Sequence, residues 1–421
     1  MLRLIGRALA GFLLAVSVGS AQTALTWEQV RERFRANNPN LTAGRVGVEQ
    51  SRAQEITAFL RPNPDLTFTT DGTQISRFEG VWRPFAGTQV SPGINYLHER
   101  EHKRELRRDS AQGATAIASS TLDDQERTLL FTLRSAFVGI LHAKEILRVA
   151  QDNLAYYDRV LDVNRTRQQA GDISEVDLGR LELQRVQYES DVQTAEVSLR
   201  TAKIQLLSLL NDRTPLEQFD VNGKFDFSEQ MTPLEEFRAT AMDARPDLKA
   251  ALQAVVKSKT DHQLAIANGS ADPTFSLWVT HNPSFNNPFD HNTLGAGVNI
   301  PLRISDRNQG EKLRTQLDIS RNQALVDAGR AQVFSDVDSA YVTIASNIAL
   351  LRPYRDKYLQ QAAKVRDTIS FAYQNGGASL LDFLSAQADY RNIQLSYLNL
   401  VGSYLTAAGQ MNLAVGKEVM P

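Results

Sequence analysis

"AGDISEVDLGRLELQ", from Ala170 to Gln184, is answered in altered letters by "NGGASLLDFLSAQAD", from Asn375 to Asp389. Gly171 matches Gly376, Ser174 matches Ser379 and Asp177 matches Asp382, all at an offset of 205 residues. Each copy reads as a turn between two helices. The glycine supplies the φ > 0 position that ends one helix, and the serine caps the next. Upstream the doubling continues: "NNPNL" (Asn37–Leu41) answers "ARPDL" (Ala244–Leu248), and "NPDLTFT" (Asn63–Thr69) answers "DPTFSLW" (Asp272–Trp278). The chain therefore reads as a tandem repeat. Residues 22–211 and 233–416 each hold a helix, an alternating pair of segments and two long helices about a glycine turn. A polar, proline-containing linker, 212–232, joins them, and 417–421 form a short tail.

The helical parts carry a sustained heptad. Leu133, Ile140, Leu147, Leu154 and Leu161 recur every seven residues, with Ala136, Ala143, Ala150 and Tyr157 three positions later. Small residues in one register suit close antiparallel packing of a coiled-coil type. A second seam runs Leu178, Leu181, Arg185, Tyr188, Val192, Ala195, and its counterpart 205 residues on is apolar throughout. No proline interrupts Lys103 to Ala170, so the spacing predicts one continuous helix about 100 Å long.

Between the helices the period falls to two. Leu66, Phe68 and Thr70 alternate with Thr67, Thr69 and Asp71, and Val90, Pro92, Ile94 and Tyr96 with Ser91, Gly93 and Asn95. Phe275, Leu277 and Val279 flank Ser276 and Trp278; Leu294, Ala296, Val298, Ile300 and Leu302 flank Gly295, Gly297, Asn299 and Pro301. These predict four strands of about ten residues, the length of a tilted membrane-spanning strand. The connectors Gly72–Ala86 and Asn282–His291 read as loops. Four strands cannot close a barrel, and an open sheet edge cannot sit in lipid. Several copies must share one barrel, and the physics permits two copies (eight strands) or three (twelve).

Composition narrows the rest. Residues 1–21 read as a secretion signal, with Arg3 and Arg7, the apolar run "ALAGFLLAVSV" and "GSA" before Gln22. Its removal takes the 46 basic residues to 44 against 48 acidic, a formal charge of −4, which does not suggest nucleic acid as a partner. The absence of cysteine excludes disulfides, thiolate chemistry and a lipid-bearing cysteine. No catalytic triad, phosphate loop or dinucleotide fingerprint stands out, and the reading expects no enzyme, cofactor or resident metal.

On these features, and on "IPLRISDRNQGEKLR" from Ile300, the chain resembles the TolC family of outer-membrane efflux channels over essentially its whole mature length. Single motifs are weak; their order, repeated twice, carries the likeness. "DRNQGE" (Asp306–Glu311) resembles the heavy-metal branch. The resemblance implies a mainly α protein with membrane β: long helical hairpins forming an α-barrel across the periplasm, and four strands given to a trimeric 12-stranded β-barrel among outer-membrane lipid. It implies a homotrimer docking on a periplasmic adaptor and an inner-membrane pump of the RND type. It also implies roles at the periplasmic mouth. Asp177 bonds to partners on the second hairpin, Tyr373 among them, and Asp382 lines the mouth. Where relatives carry a basic residue this chain has Ala378, and where they carry a second acid it has Ser385. Gly171, Asp172, Ser174, Gly376, Gly377 and Ser379 form the tips that meet the adaptor. The simpler reading of either Asp is a first-turn acid complementing the helix dipole. A different class, a soluble periplasmic coiled-coil scaffold, stays open at this point.

"HEREH", His98 to His102, matches the zinc-protease signature H-E-x-x-H letter for letter. That chemistry needs both histidines on one helical face and a third ligand. The stretch falls where the second strand gives way to a helix, and Lys103, Arg104, Arg107 and Arg108 follow. Three readings follow: a charged collar at the membrane edge, which we favour; a weak two-histidine metal contact; and catalysis.

Overall fold

The computed structural model describes residues 24–282 and 291–420. The expected signal segment, most of the Asn282–His291 connector and Pro421 of the tail lie outside the described residues. The described residues form two compact units. One holds the residues up to Ala36 with Gly139–Phe225; the other holds Asn37–Val138 with residues from Asp226 onward.

Each predicted opening helix is in fact two. Helices α1 (Trp27–Asn37) and α2 (Pro39–Phe59) meet at "NNPNL", and α5 (Leu234–Ala244) and α6 (Pro246–Asn268) meet at "ARPDL". Proline has no N–H to give the preceding turn, so it starts a new helix. Asn38 caps α2 by accepting from the N–H groups of Asn40 (2.9 Å) and Leu41 (3.2 Å). Arg245, buried at the α5–α6 junction, donates to Asp247 (2.5 Å) and Asp336 (2.6 Å).

The four strands are β1 (Asp65–Asp71), β2 (Gln89–Leu97), β3 (Thr274–His281) and β4 (Asn292–Asn299). They form one antiparallel sheet in the order β1-β2-β3-β4. At seven to nine residues they are shorter than expected. β4 stops before Ile300, and Pro301 beyond it has no N–H for the ladder. The register sets Leu66, Ile94, Leu277 and Ala296 abreast on one face, and Thr67, Gly93, Trp278 and Gly295 abreast on the other. On the first face Leu66, Phe68, Ile94, Phe275, Leu277 and Val298 are exposed.

In the first unit the predicted seam is the core. The C-terminal half of α3 (Lys103–Gln169) pairs with α4 (Glu175–Leu209), burying Leu161, Leu181, Tyr188, Val192, Ala195 and Leu206. Tyr157 stacks on Tyr188, ring centroids 4.7 Å apart, and its hydroxyl donates to the Leu181 carbonyl. Strand-like residues of the linker close this core: Val221 bridges Leu25, and the Lys144 ammonium donates to Asp220.

In the second unit α7 (Gln309–Pro353), α8 (Leu359–Gln374) and α9 (Leu380–Val415) make the corresponding hairpin. Here the expected pair of long helices is modified. A single π turn, Tyr354–Tyr358, interrupts the outgoing helix. Pro353 removes one helical N–H and crowds the carbonyl four residues back, so the backbone bulges rather than continue as α. Val333, Val337, Ile344, Leu351, Tyr404, Met411 and Ala414 form its core. No described helix is long and apolar enough to cross a membrane.

Candidate functional site

The first tip follows from its glycine. Gly171 has φ +85°. In that left-handed conformation its N–H reaches the Gln168 carbonyl (3.0 Å), while the Asp172 N–H reaches that of Arg167 (2.9 Å). This paired closure uses two of the carbonyls a helix end leaves open. Ser174 then starts α4, its hydroxyl accepting from the Asp177 N–H at 3.1 Å. The Asp177 carboxylate stays clear of that cap. Its nearest cation is Arg180, 4.0 Å away, and its side chain is 39% exposed.

The second tip repeats the closure: Gly376 has φ +76°, its N–H reaches Tyr373, and the Gly377 N–H reaches Ala372. Here the acid turns inward. The Asp382 N–H donates to the Ser379 hydroxyl at 3.1 Å, and the Asp382 carboxylate accepts from the Ser379 N–H (3.1 Å) and hydroxyl (2.6 Å). This reciprocal box satisfies two donors of the helix start. The Ser379 hydroxyl, then its N–H, hold the Asp382 carboxyl below the usual carboxylate range. The residue is nevertheless exposed, as is Ser385 one turn on. Tyr373 packs inside this hairpin, buried, with its ring on Phe383 at 5.0 Å and 22°. The sequence points to Tyr373 but not to its stacking partner. The seam position of Phe383 was the signal that could have found it.

At the strand–helix junction, HEREH folds as irregular chain. His98 to Arg100 are extended loop, and Glu101 and His102 have φ +56° and +55°. Two consecutive left-handed residues cannot belong to the helix that the protease motif requires. Each polar group has other work. Arg107 grips Glu99 through both guanidinium nitrogens, one contact at 2.8 Å. The buried Lys103 ammonium holds Asp272 at 2.6 Å and the Ser270 carbonyl at 2.9 Å, while the Arg100 N–H takes the other Asp272 oxygen. Burial pushes the Asp272 carboxyl up, but Lys103 and Arg100 outweigh it and leave it below its ordinary value. With Arg61, Pro62, Tyr96 and Arg104, the motif lines an open pocket of about 480 Å³. Among the described residues no group of three or more His, Asp or Glu is placed to hold a metal ion.

One more contact had no sequence signal. Glu229, just before α5, pairs with Arg352 (2.9 Å) and with Arg355, residues that flank Pro353. Arg355 also lies over the Phe227 ring, 4.7 Å from its centroid.

A sheet with one apolar and one small, polar face, carried on capped helical hairpins, defines a subunit of a shared outer-membrane channel. The chain belongs to the outer membrane efflux protein family, whose profile matches residues 30–212 and 238–417. It is similar to the cobalt-zinc-cadmium resistance protein CzcC of Cupriavidus metallidurans, 23% identical over 366 residues that cover 86% of this chain and 83% of that protein. It is also similar to the pyoverdine export outer membrane protein OpmQ of Pseudomonas putida, 23% identical over 382 residues, 86% of this chain and 79% of that protein. Among solved structures, CusC superposes with a TM-score of 0.77 at 16% identity, covering 93% of this chain and 92% of that one. VceC of Vibrio cholerae gives 0.72 at 15% identity, covering 93% and 96%. The protein is an outer-membrane channel component of an efflux system, with its helical tunnel in the periplasm. Channels of this family are trimers that work with an adaptor and an inner-membrane pump. The soluble-scaffold alternative finds no support.

Proposed function

We propose that this chain is the passive exit duct of a tripartite pump of the RND type, without catalytic activity of its own, on the heavy-metal branch of the family. The observation that carries the duct reading is the sheet, whose register separates an exposed apolar face from one made mainly of Gly, Ser, Thr and Asn, with Trp278 among them. Only a closed, shared barrel lets both faces and both edges be satisfied, with the apolar face in lipid. Two units of sequence, 22–211 and 233–416 about the linker 212–232, supply two strands each. Arg at Leu277 or Val298 should block assembly, costing about 2–4 kcal/mol near the bilayer centre. Arg at Ser276 or Asn299 should be tolerated. Equal tolerance on both faces would contradict the barrel.

The branch assignment is supported by "DRNQGE" and by the likeness to CzcC. Deleting the gene should sensitise cells to zinc, cobalt or cadmium; unchanged metal tolerance would remove it. At the mouth, Asp177 and Tyr373 act as a latch between hairpins, Asp382 and Ser385 line the opening, and Gly171, Asp172, Ser174, Gly376, Gly377 and Ser379 meet the adaptor. The Asp177 carboxylate, not drawn into the Ser174 cap and only loosely paired with Arg180 at 4.0 Å, supports the latch. The box that engages Asp382 favours a cap role beside the lining role. Asp177→Ala with Tyr373→Phe should raise single-channel conductance without changing oligomer stability, and an unchanged conductance would sink the latch. Asp382→Asn should lower cation preference; unaltered selectivity would leave Asp382 a cap alone.

A further inference from the structure

Trp278 is the one aromatic side chain on the small, polar face of the described strands. Its neighbours there are Thr67, Ser91, Gly93, Thr280, Gly295 and Gly297, and the Ser91 and Thr280 hydroxyls share a hydrogen bond of 2.9 Å. A bulky indole on such a wall would ordinarily stand out from it, because strand side chains project roughly perpendicular to the sheet. Here it does not. A β-carbon added to Gly295 would lie 2.5 Å from the indole Nε1 and 2.7 Å from Cζ2. One added to Gly297 would lie 3.1 Å from Cζ3, and one added to Gly93 would lie 2.9 Å from the Trp278 Cβ. The ring is thus laid across the backbone of β4, in a trough that exists only because these neighbours lack side chains.

We propose that Trp278 sets the bore of the β-barrel segment, and that Gly93, Gly295 and Gly297 are its seat. This rests on the channel reading, in which the polar face is the lumen. With the apolar face in lipid, each copy in the barrel presents one indole to the lumen near mid-strand. Flat in its trough, the ring takes only its own thickness from the passage while offering a π face to passing solute. Lifted from it, the same ring would project into the lumen and narrow it. Pore diameter and lining together decide which solutes pass.

The chain contains no cysteine, so one introduced thiol reports alone. Asn299→Cys places it on the lumen face, at the helical end of β4 and beyond Trp278 for a reagent arriving from outside. Intact cells carrying the full chain are treated with membrane-impermeant maleimides, one small and one too bulky for general porins. The Asn299→Cys protein should react with both. Adding Gly295→Ala should slow the bulky reagent several-fold and spare the small one. Trp278→Ala should speed the bulky reagent, and combined with Gly295→Ala it should abolish the slowing. Should Gly295→Ala fail to assemble, the rate gained with Trp278→Ala alone carries the test. Bulky-reagent rates indifferent to both substitutions would overturn the proposal while leaving the channel intact. Labelling of Val298→Cys in place of Asn299→Cys would reverse the faces and overturn both.

Discussion

Within the first hairpin α3 runs unbroken to Gln169 and is tied to α4 by two cross-helix ion pairs, Arg185–Asp158 at 2.6 Å and Arg165–Glu182 at 3.1 Å. Within the second, a π turn divides α7 from α8, and what joins α8 to α9 is of another kind. The rings of Tyr373 and Phe383 stack, the buried Gln387 amide donates to Ser370, and Arg366 lies 4.0 Å over the Tyr390 ring. One glycine turn was thus written twice into two different mechanical settings. An unbroken helix with charged ties resists bending. A helix already interrupted, and pinned at the interruption by Glu229, has a place to bend. On this difference the second hairpin is expected to yield before the first.

The largest expected effects come from two stacked tyrosines, Tyr157 of the first hairpin and Tyr373 of the second. Tyr157→Ala and Tyr373→Ala each empty a buried ring site, and each should cost about 3 kcal/mol of local stability. If the comparison holds, Tyr373→Ala should leave the second tip open to limited proteolysis at neutral pH. Tyr157→Ala, still backed by ion pairs, should expose the first tip less. Equal cleavage of both would break the comparison.

Smaller effects belong to the caps. Ser174→Ala and Ser379→Ala should each cost about 1 kcal/mol, with Ser379→Ala the larger because it also takes the hydroxyl from Asp382. The box adds a pH dependence. Its carboxyl has a folded pKa below the unfolded one, so its stabilisation is present above the ordinary carboxylate pKa and lost as pH falls through the folded value. Protection of the amides near Leu380–Phe383, taken relative to their intrinsic exchange rates, should fall below about pH 4, and Asp382→Asn should remove that pH dependence. Protection there that ignores both pH and Asp382→Asn would show that the box contributes nothing in solution.

The smallest effect is Arg185→Ala. Its ties to Asp158 and Glu189 are half-exposed, so about 0.2–1 kcal/mol is expected, shrinking with added salt. A salt-independent loss would point to packing of the arginine stem instead.

Much of this architecture was legible in the letters. The glycine turns demanded φ > 0, the heptad demanded a paired face, and the alternation demanded strands with two unlike sides. Pro39, Pro246 and Pro353 marked breaks that periodicity alone smooths over. The tips were less legible. Ser174–Asp177 and Ser379–Asp382 have the same S-x-x-D spacing, yet only the second closes the reciprocal box. That outcome depends on the rotamer of the acid and on which groups surround it. HEREH shows the converse: identical letters lost their meaning once two residues turned left-handed. Glu229 could not be found at all, since a lone acid in a linker carries no pattern until the fold places Arg352 and Arg355 beside it.

The most direct test of the two-hairpin account is hydrogen exchange on the assembled protein at neutral pH, comparing the last two turns of α3 with those of α8. Faster exchange is expected in α8, with a narrower gap in Pro353→Ala, where the helix can run straight. Equal rates, or faster exchange in α3, would contradict it.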